Sequence, residues 1–202
     1  INKKERSTYM ITETKCNIFA VELSYIQDRK IRSSAQKIIS LLPDYYFHEA
    51  ASSTGKYHPK FSLGERGLVR HVKVAVRYAQ ELFNIYKFDQ ETKDLIIFAL
   101  IIHDGIKKGR DGSKMMAFDH PLLIGEFLRE HESELELSSE QLERIIKMDA
   151  SHMGRWNTNK FEPDVVLPIP KSVEEKFVHM CDYLSSRKWN NVSFDADDNI
   201  LE

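Results

Sequence analysis

Cysteine is scarce: the 202-residue chain holds only Cys16 and Cys181, far apart and in or near apolar patterns. Two thiols so placed give no zinc-binding spacing and no disulfide framework, and they suit a reducing compartment. Long hydrophobic runs are also missing. No stretch reaches the ~18 apolar residues of a membrane span and no signal peptide is visible, so a soluble, cytoplasmic protein is expected. Neither sign of charge prevails, with 29 Lys and Arg against 31 Asp and Glu. That balance gives no basic field for long nucleic acid, and a polyanion has to be recognised locally. Strand signals are few, and no internal repeat or low-complexity tract stands out. What remains is a mostly helical pattern of one domain's length, enough to bury a core without staples. The expected fold class is all-α, a single bundle of about six helices. Residues 1–17 read as a lead-in with room for a short strand or extended arm, 18–190 as the domain, and 191–202 as an acidic, solvated tail.

The strongest pattern covers residues 96–105. Its apolar part has no polar face, as in a helix buried on all sides, and it ends in His103 and Asp104 followed by Gly105. A desolvated carboxylate there must be neutralised, find a cation or bind a metal. Lys107, other histidines or a divalent ion are the candidates. Before this stretch, residues 18–42 repeat apolar positions at helical spacing until Pro43 stops them. Residues 44–67 read as a long loop carrying Lys56, Tyr57 and His58, and loops of this length are commonly functional. Residues 67–87 return to helix with His71 on the apolar stripe, pointing inward. Asp89 is a plausible cap for the buried helix.

Beyond it, a basic loop leads to His120-Pro121, which opens another helix. Ser138-x-x-Gln141 is a capping box for a helix in which Leu142, Ile145, Asp149 and His152 share a face. An extended proline-bearing crossing at 163–170 precedes a second capping box, Ser172-x-x-Glu175, and a helix with Asp182 beside its apolar stripe.

Ligand-type side chains thus recur at His71, His103, Asp104, His120, His152 and Asp182, each on a different helix apart from the adjacent pair. Imidazoles and carboxylates converging from several helices suit a divalent ion such as Mn, Fe, Mg, Ni or Zn. Each residue alone has an ordinary explanation. A lone histidine on an apolar face is more often a hydrogen-bonded core residue, and Asp182 has Arg187 and Lys188 nearby for an ion pair. Their coincidence is harder to explain that way. Gly55-Lys56 is no P-loop, because the earlier glycine is absent and Tyr57 stands where Ser or Thr is needed. The acidic run at 195–198 lacks the spaced ligands of a calcium loop.

The order His, then His-Asp, then a distant Asp resembles the HD superfamily of metal-dependent phosphohydrolases. The matching residues are His71 in Gly67-Leu68-Val69-Arg70-His71, the doublet in Ile102-His103-Asp104-Gly105-Ile106-Lys107, and Asp182 in His179-Met180-Cys181-Asp182. The likeness covers roughly residues 60–190. It departs from the commonest form in reading Gly-Ile-Lys after the doublet, which still leaves Lys107 three after Asp104. Residues 52–71 are similar to a subgroup of microbial and phage HD proteins.

The resemblance implies a divalent metal on His71, His103, Asp104 and Asp182. A second ion would sit on His120 and His152 with Asp104 bridging, or those histidines would contact phosphate instead. It also implies hydrolysis of a phosphomonoester, phosphoanhydride or phosphodiester in a nucleotide or short oligonucleotide. Asp104 and Lys107 would be catalytic, with Lys107 also clamping a phosphoryl oxygen. Lys56, Tyr57, His58, Arg70 and Trp156 are the further candidate substrate contacts, Tyr57 and Trp156 as stacking surfaces for a base. The alternatives are a 3′–5′ exonuclease and a non-catalytic nucleotide-binding module. No membrane or disulfide-linked partner is expected, and the sequence leaves oligomeric state open.

Overall fold

A helix without a polar face is stable only when other elements surround it. In the computed structural model, which describes residues 15–52, 54–112 and 116–201, this governs the architecture. The helices are α1 (Ala20–Ser24), α2 (Arg29–Leu41), α3 (Gly67–Leu82), α4 (Gln90–Ile102), α5 (His120–Glu130), α6 (Ser139–Ala150) and α7 (Val173–Ser185). The central one is α4, which packs against α1, α2, α3, α6 and α7. Every residue from 95 to 102 is buried. Asp89 starts it as expected, its carboxylate accepting from the Thr92 amide at 2.8 Å. At the other end the Tyr46 hydroxyl donates to the Ile101 carbonyl, one of the acceptors that a helix terminus leaves unpaired.

The protein is an all-α bundle with one minor hairpin, β1 (Thr158–Asn159) pairing antiparallel with β2 (Glu162–Val166). This hairpin includes the start of the expected extended crossing. The strand considered for the lead-in falls largely on residues 1–14, outside the described ones, and residues 15–18 are helical. Both bonds of the Ser138 capping box are present. In the second box Ser172 accepts from the Glu175 amide, but the Glu175 carboxylate turns to the Lys171 amide.

Residues 18–42 do not form one helix. The chain breaks between α1 and α2 because the buried Asp94 on α4 needs donors, and it takes them from the amides of Gln27 (3.1 Å) and Asp28 (2.7 Å). Asp28 then caps α2 through the Lys30 and Ile31 amides. The apolar stripe survives the break, with Phe19, Leu23, Ile26, Ile31, Ala35, Ile38 and Leu42 all buried. No helix among the described residues is long and apolar enough to cross a membrane. Cys16 and Cys181 are both unbonded.

The acidic tail is exposed at Asp195 and Asp197, as expected of a solvated segment, but it folds back onto α3 at Asp198 and Asn199. Asp198 is buried and pairs with Arg66 at 2.7 Å and Arg70 at 2.9 Å. Lys73, itself buried, donates to Asn199 at 2.9 Å, and Phe194 rests on Phe61 with ring centroids 5.4 Å apart. Asp195 closes the turn by accepting from the amides of Asp197 and Asn199. Removing the Asp198 carboxylate leaves two guanidinium groups facing a covered site without a counterion. Asp198→Ala is therefore expected to lower unfolding free energy on the order of 3 kcal/mol, read from urea denaturation. An unchanged midpoint would return the tail to a solvated role.

Candidate metal centre and its cavity

Five helices bring the ligand types to one place. His71 lies on the inward face of α3, His103 and Asp104 follow the last residue of α4, and His120 is the first residue of α5, where Pro121 fixes the opening turn. His152 follows the end of α6, and Asp182 belongs to α7. The four histidines and Asp104 are buried. His71 Nε2 is 3.0 Å and His103 Nε2 3.6 Å from Asp182 Oδ1. His120 Nε2 is 3.1 Å from Asp104 Oδ1, and His103 Nε2 is 3.7 Å from Asp104 Oδ2.

Hydrogen bonds fix which nitrogen of each ring faces inward. Nδ1–H of His103 donates to the Leu100 carbonyl, that of His120 to Ala117 and that of His152 to Asp149, each at 2.7 Å. A carbonyl can only accept, so in each neutral ring Nε2 carries a bare lone pair. His71 reaches the same state by another route. Ser185 Oγ donates its one proton to the Asp182 carbonyl and so accepts from His71 Nδ1 at 3.0 Å. Four Nε2 lone pairs and two carboxylates thus converge. Those of His120 and His152 are 3.3 Å apart, and His103 Nε2 is buried with no hydrogen-bond partner.

Bare lone pairs facing each other and facing carboxylates repel unless a cation lies among them. The donor set fits a divalent ion, and the outer Nδ1–H bonds to carbonyls hold the rings in the orientation that ligating histidines need. Ligand atoms within 4.8 Å of one another form two groups, His71 with His103 and Asp104, and Asp104 with His120 and His152. Asp104 belongs to both.

Protons take the place of an ion where none is bound. Burial alone would depress His103, but the Asp104 and Asp182 carboxylates outweigh it and push its pKa up to about 9. For His152, burial and then the neighbouring His103 and His120 push it down to about 3. Burial opposes ionisation of Asp104 and Asp182. Lys107, His103 and His120 overcome that for Asp104, and His103 and His71 do so for Asp182, so both lie well below the usual carboxylate range.

His152 is steadied further by His179, whose Nδ1–H donates to the His152 carbonyl at 2.6 Å. The turn passes that ring at Gly154 (φ 58°), where a Cβ would run into the imidazole, so only glycine gives both the left-handed backbone and the approach.

A cavity of about 820 Å³ opens over the cluster. Tyr57, His58, Lys107 and Trp156 line it, as the sequence leads one to expect of substrate contacts. Lys107 Nζ lies 2.6 Å from Asp104 Oδ2. The Nδ1 of His58 is buried without a partner, and burial, followed by the nearby His71, pushes its pKa down to about 4.

Arg70 does not line the cavity, and its expected role as a substrate contact is corrected. Its Nε donates to the Phe61 carbonyl, Nη2 to those of Leu63 and Glu65, and Nη1 to Asp198, so four of the five guanidinium N–H groups bind the loop before α3 to the tail. Lys56 is exposed and lies over the Tyr57 ring instead of lining the cavity. Arg187 does not pair with the Asp182 carboxylate, whose partner is His71. Trp156 stacks on Tyr183 at 5.5 Å and 18°, so one of its faces is committed within the protein.

Asp149 went unassigned in the sequence although it lies three before His152 on the same face. It is fully buried, neither oxygen has a hydrogen-bond partner, and burial followed by the Asp104 charge raises its pKa well above the ordinary range.

Compared with family models, with curated proteins and with solved structures, the chain matches none.

Proposed function

We propose that this protein is a metal-dependent phosphohydrolase acting on a nucleotide or short oligonucleotide. The observation that carries this reading is the convergence of four oriented Nε2 lone pairs and two ionised carboxylates at a cavity that His71, His120 and His152 line and that also presents Lys107. His71, His103, Asp104 and Asp182 would hold one ion, with His120 and His152 sharing Asp104 in holding another. A divalent ion so held supplies Lewis acidity, making water more acidic and offsetting charge on phosphoryl oxygens.

The chain's own groups do the rest. Lys107 is held by Asp104 at the cavity wall, where its ammonium can donate to an oxygen of a bound phosphoryl group. His58 offers a neutral imidazole on the same side. Tyr57, 59% exposed, presents a ring on which a base can stack. The cytoplasm remains the proposed compartment, in keeping with two unbonded thiols.

A screen of nucleoside mono-, di- and triphosphates, cyclic nucleotides and short oligonucleotides with added manganese tests the reading. Release of phosphate or cleavage of an ester is expected. Metal retention without turnover of any of them would favour a binding module. Lys107→Ala should lower turnover of the best substrate by ~10²–10³-fold, the usual cost of losing one donor to transition-state charge. Metal content should stay intact. Equal turnover would remove Lys107 from the chemistry, and joint loss of metal and activity would make its role structural.

A further inference from the structure

The rim of the cavity carries two cations that the proposed reaction leaves without work. Arg155, three residues past His152, holds its guanidinium 4.6 Å over the Trp156 ring. Arg187, five residues past Asp182, holds its own 4.0 Å over Tyr183, and Trp156 and Tyr183 stack on each other. Arg187 is steadied further by donating to the Tyr183 carbonyl at 2.9 Å and to Ser186 Oγ at 2.6 Å. Most other arginines among the described residues meet carboxylates, as Arg70 does with Asp198, Arg110 with Glu130 and Arg144 with Glu174, and the exceptions Arg29 and Arg32 do not line the cavity. Arg155 and Arg187 meet none among the described residues.

The other charges of the wall are already matched. Lys107 pairs with Asp104, and Lys108 pairs with Glu49 at 2.9 Å. Uncompensated positive charge is thus concentrated at one edge of the cavity, on planar groups held by stacking. A guanidinium fixed in this way loses little freedom on binding and presents a donor edge matched to phosphate. Arg187 stands two residues beyond the end of α7 and lines the same cavity as Asp182. The cavity, at about 820 Å³, is near the upper end for small-molecule sites.

We propose that Arg155 and Arg187 bind a phosphate of the substrate other than the one that reacts, so that the site selects substrates carrying two or more phosphate groups. This rests on the phosphohydrolase reading for the reacting phosphate. The second phosphate can belong to the polyphosphate chain of a nucleotide or to the next phosphodiester of a short oligonucleotide.

The test compares kcat/KM for a nucleoside 5′-monophosphate, its triphosphate and a 5′-phosphorylated dinucleotide, using wild type, Arg155→Ala, Arg187→Lys and Arg155→Ala/Arg187→Ala. Wild type should favour a substrate with a second phosphate. The double variant should lose that preference by roughly 10- to 100-fold, mainly through KM, as expected for charge-assisted hydrogen bonds. Arg187→Lys should keep part of it. A preference confined to the triphosphate identifies the polyphosphate source, and one confined to the dinucleotide identifies the nucleic-acid source. The same ratio in wild type and double variant overturns the subsite while leaving the reaction intact. Calorimetric binding of the dinucleotide in EDTA, where no turnover occurs, separates the two readings. Binding that the double variant loses, with no ester hydrolysed by wild type, keeps the subsite and ends the phosphohydrolase reading. Neither binding nor hydrolysis ends both.

Discussion

Asp104→Asn protein is expected to lose both its metal and its turnover. Asp104 is the one ligand shared by the two donor groups, with Oδ1 3.1 Å from His120 Nε2 and Oδ2 2.6 Å from Lys107. Asparagine keeps the volume but removes the charge that offsets a bound cation and holds the lysine. The fall in metal affinity should exceed the ~10–100-fold typical of losing an outer-shell partner. Turnover should fall beyond the ~10²–10³-fold cost of one donor, because the lysine is released together with the ion. Elemental analysis of purified protein and single-turnover assays on the same sample read both. Full metal occupancy in Asp104→Asn would show that the histidines and Asp182 suffice, and would reduce Asp104 to an anchor for Lys107.

A metal-dependent rise in thermal stability should grow as pH increases from about 6.5 to 9. Without an ion, His103 has a pKa pushed up to about 9. A raised histidine contributes stability that is fully present below its unfolded value of about 6.5 and is lost as pH rises through the folded value. His152, pushed down to about 3, acts in the opposite sense, costing stability as pH falls below about 6.5. The chelated protein should therefore be most stable near neutrality and weaken toward pH 9. Metal binding requires the same imidazoles deprotonated, so affinity improves over that range. At a thousandfold excess over the dissociation constant the gain is about 4 kcal/mol, or roughly 8–16 °C in melting temperature for a chain of this size. Melting curves with EDTA and with manganese at pH 6, 7.5 and 9 give the result. A gain that shrinks with pH would show that the histidines do not bind through Nε2.

Local signals placed much of this site in the sequence. The apolar run before His103 can be buried only at the centre of a bundle, Asp89 and Ser138 cap where their spacing says they should, and Pro121 sets His120 at a helix start. The failures involve partners distant along the chain. Nothing near Arg70 announces Asp198, 128 residues away, and nothing near Gln27 announces the Asp94 carboxylate that ends α1. Arg155 and Arg187 stand three and five residues past ligand positions. That proximity was readable, but their lack of carboxylate partners emerges only when the whole surface is folded. Asp149 was legible as inward-facing, whereas its isolation from any hydrogen bond depends on the packing of α6 against α4.

The bond between Arg70 and Asp198 ties the loop before α3 to residues 128 positions further along the chain. The carbonyls of Phe61, Leu63 and Glu65 are gathered by a guanidinium whose counterion arrives more than a hundred residues later in synthesis. His71 and Ser185 of α7, 114 residues apart, close a loop nearly as long as the 128 residues between Arg70 and Asp198, so the His/Asp cluster and this bond face a similar closure cost. The acidic turn at 195–199 thus acts as a clasp on the loop that carries Tyr57 and His58 to the cavity, so a change in that turn can reach the cavity without touching any residue that lines it.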